Sequence, residues 1–403
     1  MAVGKVIRVF PLLIFLICVS ACSRRFFDSY TPNFYGRIFA LDQIERKLYE
    51  IKLGPSAART EYQLISDQVA DAALSPDGKY LLYHLSVPGP DNLKDKLVLR
   101  NLSSAEDKPI VSGVAARQLS WATDSQRFSY AAEHALHVSD LSGQAQIIYS
   151  APHAKYNLRT ETGTTVGAKE MYAQFTAARW IAPDRLVFQD FGGEMPFFPE
   201  RAWNEILVQP NQTTVATVGK TARLSRLEKK WVVRAVCPEK SVVLLSEDYR
   251  RGPLFLVSTS GDLQRPALRE VPGSANSPAV NSNDKTRKYD FMMSYSEPIR
   301  FTRGTCRLYH LRVPAGQTAV ARGSFIDTDS LIESSSQEFK GISEVTAWVI
   351  DPEGKQIAAV FKETSMSSLS IVNPHTGGKY SLSTQGLHNT FFGNWRLLGW
   401  VPS

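Results

Sequence analysis

Val69-Ala-Asp-Ala-Ala-Leu74-Ser-Pro-Asp-Gly78-Lys-Tyr-Leu-Leu-Tyr-His84 decides the architecture of this chain. An apolar run leads into a reversal, and a run rich in strand formers leads out of it. Proline at the second turn position presets φ at about −65°, the aspartate bonds its own local backbone, and glycine accepts a positive φ. Working outward, Lys96-Leu-Val-Leu-Arg-Asn-Leu102 alternates and reads as a third strand. Lys108-Pro-Ile-Val111 reads as a short fourth, its proline suited to a sheet edge. Four antiparallel strands in this order make one propeller blade.

The turn marker recurs at Ala122-Thr-Asp-Ser125, Ala182-Pro-Asp-Arg185, Cys237-Pro-Glu-Lys240, Asn281-Ser-Asn-Asp284 and Asp351-Pro-Glu-Gly354, each copy between apolar runs. A spacing of roughly 45 to 70 residues belongs to solenoids, propellers or arrays. The fourth unit is read as Arg179–Ile181, Leu186–Phe188, Glu205–Val208 and Thr214–Val218, and the sixth as Tyr289–Met293, Arg307–Leu311 and Thr318–Val320. At the front, Arg37–Leu41, Leu48–Ile51 and Tyr62–Ile65 read as second, third and fourth strands without a first. The chain ends in Trp395-Arg-Leu-Leu-Gly-Trp400-Val, which resembles a first strand. The expectation is an all-β propeller of seven four-stranded blades, closed by the C-terminal strand pairing into the N-terminal blade. Six or eight blades are the alternative counts, and unrelated hairpins in a sandwich or two β domains are the alternative fold. Trp121, Trp180, Trp231 and Trp348 all fall in first strands, as repeated core positions do.

The Ser-Pro-Asp-Gly-Lys-Tyr-Leu-Leu-Tyr run, with Leu-Val-Leu-Arg-Asn-Leu after it, resembles the WD-like repeats of the TolB family of periplasmic propellers. The resemblance covers most of residues 35–403 and is strongest at 69–113, 114–151 and 341–384. It implies a fold rather than an active site. That family's separate N-terminal domain has no counterpart here, and a lipid of the chain's own would make it closer in layout to lipid-anchored envelope propellers.

The N-terminus suggests that lipid. Lys5 and Arg8 precede an apolar stretch from Val9 to Val19 that is short for a bilayer span. Val19-Ser-Ala-Cys22 then resembles a bacterial lipobox, with Val19 where leucine is commoner. The resemblance implies residues 1–21 as signal peptide, Cys22 as lipidated N-terminus, 22–34 as tether and 35–403 as propeller. An ordinary signal peptide or an anchor helix is the alternative. Ser23 rather than aspartate after the cysteine implies the outer membrane, facing the periplasm, and Arg24 and Arg25 would sit beside lipid headgroups.

The formal charge is +7, and loss of Lys5 and Arg8 with a signal would leave +5. Basic clusters at Arg223, Arg226, Lys229 and Lys230, and at Lys285, Arg287 and Lys288, read as solvated loops, with anionic lipid or glycan as the alternative. No nucleic acid partner is expected of an exported lipoprotein. Cys237 and Cys306, left after Cys18 and Cys22, fall in neighbouring blades at unlike positions, and either pair in an oxidising compartment or remain buried thiols. Neither a metal site nor a cofactor motif is read. Zincin, P-loop, EF-hand and Rossmann signatures are absent, as is the Gly-x-Ser-x-Gly elbow of the hydrolases that similar propellers precede. No room for such a domain is expected after Ser403. His137 and His310 read as third-strand residues of structural or solvent-facing type.

Three insertions break the rhythm: Pro152 to Ala173, Phe191 to Pro199 with Trp203 after it, and Ser324 to Gly341. Loops on a rigid scaffold tend to carry function. In the second, Phe191, Met195, Phe197 and Phe198 interleave with glycine and proline and form an apolar contact patch unless they pack down as a lid or channel plug. Tyr156 and Tyr172 from the first insertion complete the candidate partner-binding set. The expected function is a non-catalytic scaffold that binds another envelope protein; a glycan or small-molecule propeller with a site at the channel mouth is the rival.

Overall fold

The computed structural model describes residues 34–402 apart from 57–58, 87–94, 160–164, 173–174, 176–177, 191–193, 197–211, 228–230, 247–252, 262, 264–265, 272–298, 304, 313–319, 335, 343, 364–365, 386 and 388–391. Seven four-stranded antiparallel sheets form the ring, with one further three-stranded sheet outside it. Blade 1 combines both ends of the chain: Trp395–Val401 is its innermost strand, followed outward by Arg37–Asp42, Lys47–Lys52 and Glu61–Ser66. The closing register runs from Arg37 opposite Val401 to Asp42 opposite Trp395. Blades 2 and 3 begin at Val69–Leu74 and Arg117–Trp121, blades 4 and 5 at Arg179–Ala182 and Val232–Cys237, and blades 6 and 7 at Ile299–Phe301 and Glu344–Ile350.

The hydrophobic core is divided, and the strand period explains how. Successive side chains on a strand face opposite ways, so Leu81 and Tyr83 join the seam toward blade 1 while Leu82 joins the seam toward blade 3. The described chain holds seven such clusters, one for each seam of the ring. Trp121, Trp180, Trp231 and Trp348 are all buried. Two of them also stitch seams: Trp121 Nε1 donates to Ala73 O at 3.0 Å, and Trp180 Nε1 donates to Ser129 Oγ at 3.1 Å. A register shift recurs in the innermost strand of blades 1, 2, 3, 4, 5 and 7. Such bulges bend a strand and raise its twist, as crowding at the ring's axis demands.

In blades 2, 6 and 7 the first hairpin is closed by a side chain at the start of its turn. Ser75 Oγ accepts from Tyr80 N at 2.9 Å, and Asp351 Oδ1 accepts from Gln356 N at 3.0 Å. In blade 6 the same role falls to Thr302, whose Oγ1 accepts from Arg307 N at 3.0 Å. That turn carries no Pro-Asp signature, so the sixth unit is shifted from its sequence assignment. Its strands are Ile299–Phe301, Leu308–Arg312, Val320–Ile326 and Gln337–Lys340, and Asn281–Asp284 and Tyr289–Met293 lie outside the described residues. His310 is therefore in a second strand. Much of the third insertion is blade, since 324–341 supplies parts of two strands. In blade 4 the third strand is Gln212–Thr217 and the fourth is Arg223–Leu227, the stretch read as a basic loop. On that outermost strand only Leu227 is buried, so arginines are tolerated at the solvent edge. The assigned Glu205–Val208 lies outside the described residues.

One carboxylate ties three blades together. Asp71, in the innermost strand of blade 2, accepts from Arg396 Nη2 of blade 1 at 2.7 Å through Oδ1 and from Leu119 N of blade 3 at 3.0 Å through Oδ2. Beside it His84, buried, lies 3.4 Å from the Asp95 carboxylate. Burial holds the His84 imidazole below the ordinary histidine range and outweighs the pull of Asp95 and Asp71. The unfolded chain thus takes up a proton before the folded one does. Stability is full above the unfolded value of about 6.5 and declines as pH falls toward the lower folded value. His137, stacked on Tyr130 and shifted the same way by burial, adds to the slope. The denaturation midpoint should fall between about pH 7 and about pH 5, and His84→Gln should flatten that fall. A variant with the parental slope would contradict this assignment.

Candidate functional site

Chain direction sorts the connections onto two faces. In each blade the first-to-second and third-to-fourth turns leave on one face, the turn face, where the recurring markers lie. The second-to-third loops and the crossovers between blades leave on the other, the insertion face. The crossover from blade 3 to blade 4, spanning 151–178, and the second-to-third connection of blade 4, spanning 191–211, therefore emerge side by side on the insertion face. The remaining loop of the third insertion, 327–336, joins the third and fourth strands of blade 6 and lies on the turn face.

The first insertion is a hairpin rather than a loop. His153–Arg159 pairs antiparallel with Thr165–Tyr172, with Tyr156 opposite Lys169 and His153 opposite Tyr172. Alternation over His153–Arg159, ahead of the turn residues Thr162 and Gly163, was the available signal for it. Glu194–Pro196 from the second insertion joins as a third, parallel strand, which places Met195 opposite Leu158. One small sheet thus brings Tyr156, Tyr172 and Met195 together. Phe191, Phe197, Phe198 and Trp203 lie outside the described residues, as does Cys22.

The hairpin's base is anchored by aromatic contacts. Tyr172, 43% exposed, stacks on His134 with ring centres 4.1 Å apart and meets His153 edge-on at 4.8 Å. His134 sits at φ +62° in the tight turn between the second and third strands of blade 3. Phe175 is buried, meets Tyr149 edge-on at 5.7 Å, and its carbonyl accepts from Gln118 Nε2 at 3.3 Å. His134 and His153 carried no motif in the sequence, because their role depends on a stacking partner in another element.

Cys237 ends the first strand of blade 5, and Cys306 lies in the first hairpin turn of blade 6. With blade 6 reassigned, both lie at first-hairpin turns on the turn face, Cys237 where its turn starts and Cys306 where its turn ends. Both are buried, their Cα atoms are 5.7 Å apart, and the sulfurs are at bonding distance. Cys237, Glu239 and Cys306 are the grouping of metal-ligating types among the described residues. With the sulfurs joined, only the Glu239 carboxylate is left as a ligand.

The acids with lowered pKa values serve local turns. Asp140 is held down first by the Ser142 hydroxyl, and Asp327 first by the Ser330 amide, both in third-to-fourth connections on the turn face.

No family of known proteins matches the chain, and no characterised protein matches it in sequence. Its fold is found in solved structures. TolB from Acinetobacter baumannii is 12% identical, the match covering 91% of this chain and 67% of that one, with a TM-score of 0.41. An oligogalacturonate lyase in complex with manganese is 12% identical over 89% of this chain and 87% of its own, with a TM-score of 0.49. A prolyl endopeptidase is 11% identical over 87% of this chain, with a TM-score of 0.50, and the chain spans 50% of that enzyme's length. The likeness is one of fold. A fold alone does not choose a function.

Proposed function

We propose that this chain is a lipid-anchored propeller of the bacterial cell envelope, acting as a non-catalytic scaffold that binds an envelope protein through its insertion face. The observation that carries the reading is the opposition of its two ends of interest. The chain enters the ring at the turn face: Tyr35 donates its hydroxyl to Asp351 in the blade 7 turn, and Arg37 opens the second strand of blade 1 opposite Val401. The hairpin with the exposed Tyr172 emerges on the other face. With Cys22 acylated, the dozen residues up to Phe34 reach at most roughly 40 Å, enough to hold the ring near a bilayer with its insertion face turned away. Confinement to a surface raises the effective concentration against other membrane-held partners. In the periplasm the Cys237–Cys306 pair would be a disulfide clasping blades 5 and 6.

Replacing Cys22 with serine tests the anchor. The variant should leave the membrane fraction for the soluble one, retain its melting temperature, and lose most of the partner recovered with the parent. Retention in the membrane fraction would sink the lipid anchor.

A further inference from the structure

An exposed side chain on the innermost strand of a propeller blade opens onto the axial channel, because both flanks of that strand are covered by neighbouring blades. Arg117 and Arg179, each the first residue of its innermost strand, are exposed, and both lie at the insertion-face mouth. Arg234, half-buried, sits two residues further along, at the bulge of the blade 5 innermost strand, with Nε donating to Ser246 Oγ at 2.9 Å. Three consecutive blades thus place a guanidinium along one arc of the channel. The acids nearby on inner strands are committed elsewhere: Asp71 to Arg396, and Glu344 to Lys362 at 3.8 Å. No described carboxylate forms an ion pair with Arg117 or Arg179.

A second observation stands beside this arc. Among the described residues Thr165–Tyr172 is the edge of the inserted sheet, paired on one side only, and Gly167, Glu170 and Tyr172 along it are exposed. An open edge offers a row of backbone donors and acceptors, which an added strand satisfies. The edge and the arc are physically tied, since Gln118, next to Arg117, holds the carbonyl of Phe175 just after the hairpin.

From these two features we infer that the insertion-face mouth at blades 3 to 5 binds an extended acidic peptide, which adds to the edge of Thr165–Tyr172 and lays its carboxylates on Arg117, Arg179 and Arg234. This deepens the scaffold reading and rests on it for the source of the peptide, a segment of the envelope partner. Arginine suits carboxylate through bidentate geometry, and a backbone edge favours a peptide over an acidic glycan, which has no matching row of amides.

The test uses the purified full-length chain in detergent and three probes: a fluorescent glutamate-rich peptide, the same peptide with glutamine for glutamate, and an oligouronate. The glutamate peptide should bind, the glutamine peptide at least tenfold more weakly, and the oligouronate should not compete. Arg117→Glu combined with Arg179→Glu should weaken binding at least tenfold, Arg117→Gln with Arg179→Gln by less, and both at an unchanged melting temperature. Hydrogen exchange of residues 165–172 should slow when the peptide is bound. Equal binding of the two peptides, competition by the oligouronate, indifference to charge reversal, or unslowed exchange would each overturn the inference. Because these readouts need no membrane, they separate its failure from failure of the anchor, which the Cys22 variant reports.

Discussion

A chain shortened to end at Asn394 should not form the cooperative native state. Trp395–Val401 is the innermost strand of blade 1, and its loss would leave Arg37–Asp42 with an unpaired edge at the axis. It also empties two seams: Trp395, Leu397 and Trp400 belong to the core between blades 7 and 1, and Val401 to that between blades 1 and 2. Truncating a buried tryptophan alone costs about 3–5 kcal/mol, against a total stability of roughly 5–15 kcal/mol. The bond from Trp400 Nε1 to Tyr35 O at 3.1 Å goes too. Gly78 would lose its neighbour as well: its φ is +73°, and a Cβ added there would lie 3.1 Å from Val401 Cγ2, so the blade 2 turn is fitted to the closing strand. The shortened chain should show a broad, early thermal transition and bind hydrophobic dye, and a synthetic peptide Phe392–Ser403 added in trans should restore a sharp one. A truncated chain that melts like the parent would refute closure by this strand.

Asp71→Ala should be the most damaging single substitution in the ring. It takes the carboxylate from the Arg396 guanidinium, which is 6% exposed and keeps its bond to the Ala72 carbonyl, and leaves the Leu119 amide without its acceptor. Breaking a buried pair by removing one partner costs roughly 3–5 kcal/mol, because the remaining charge is uncompensated. The melting temperature should fall by roughly 5–15 °C. The double variant Asp71→Ala with Arg396→Met should recover part of that loss, since it removes the buried charge that Asp71 balanced. Additive losses in the double variant, measured by chemical denaturation, would show that the two side chains do not depend on each other.

The ring was legible in the sequence because its signal is local. Pro-Asp-Gly at Pro76–Gly78 and Pro-Glu-Gly at Pro352–Gly354 announce a reversal through their own dihedral preferences. Closure was legible for a similar reason, as a first strand at the end and three later strands at the start leave one complete blade between them. Blade 6 was misplaced because Thr302–Arg307 closes its hairpin through a hydroxyl, with no turn residues that stand out from the background. The same shift concealed that Cys237 and Cys306 lie in neighbouring first-hairpin turns. Asp71 looked like one polar residue in a strand of alanines, and its partner Arg396 is 325 positions away. The inner-strand bulges were invisible for another reason: they answer to crowding around an axis that exists only once the ring has closed.

The candidate site was legible in composition more than in form. Tyr156, Tyr172 and Met195 share one sheet, although in sequence they fall in two separate insertions. Their meeting depends on the direction of the chain through each blade, which sends these connections to one face and sends 327–336 to the other.

The claim that one face works and the other faces the anchor is open to a direct measurement. A photo-crosslinking residue is placed at Tyr172 on the insertion face or at Ile332, 70% exposed on the turn face, and intact cells are irradiated. A discrete adduct with an envelope protein is predicted from position 172 and none from position 332. An adduct from 332 alone, or the same adduct from both, would contradict the claim.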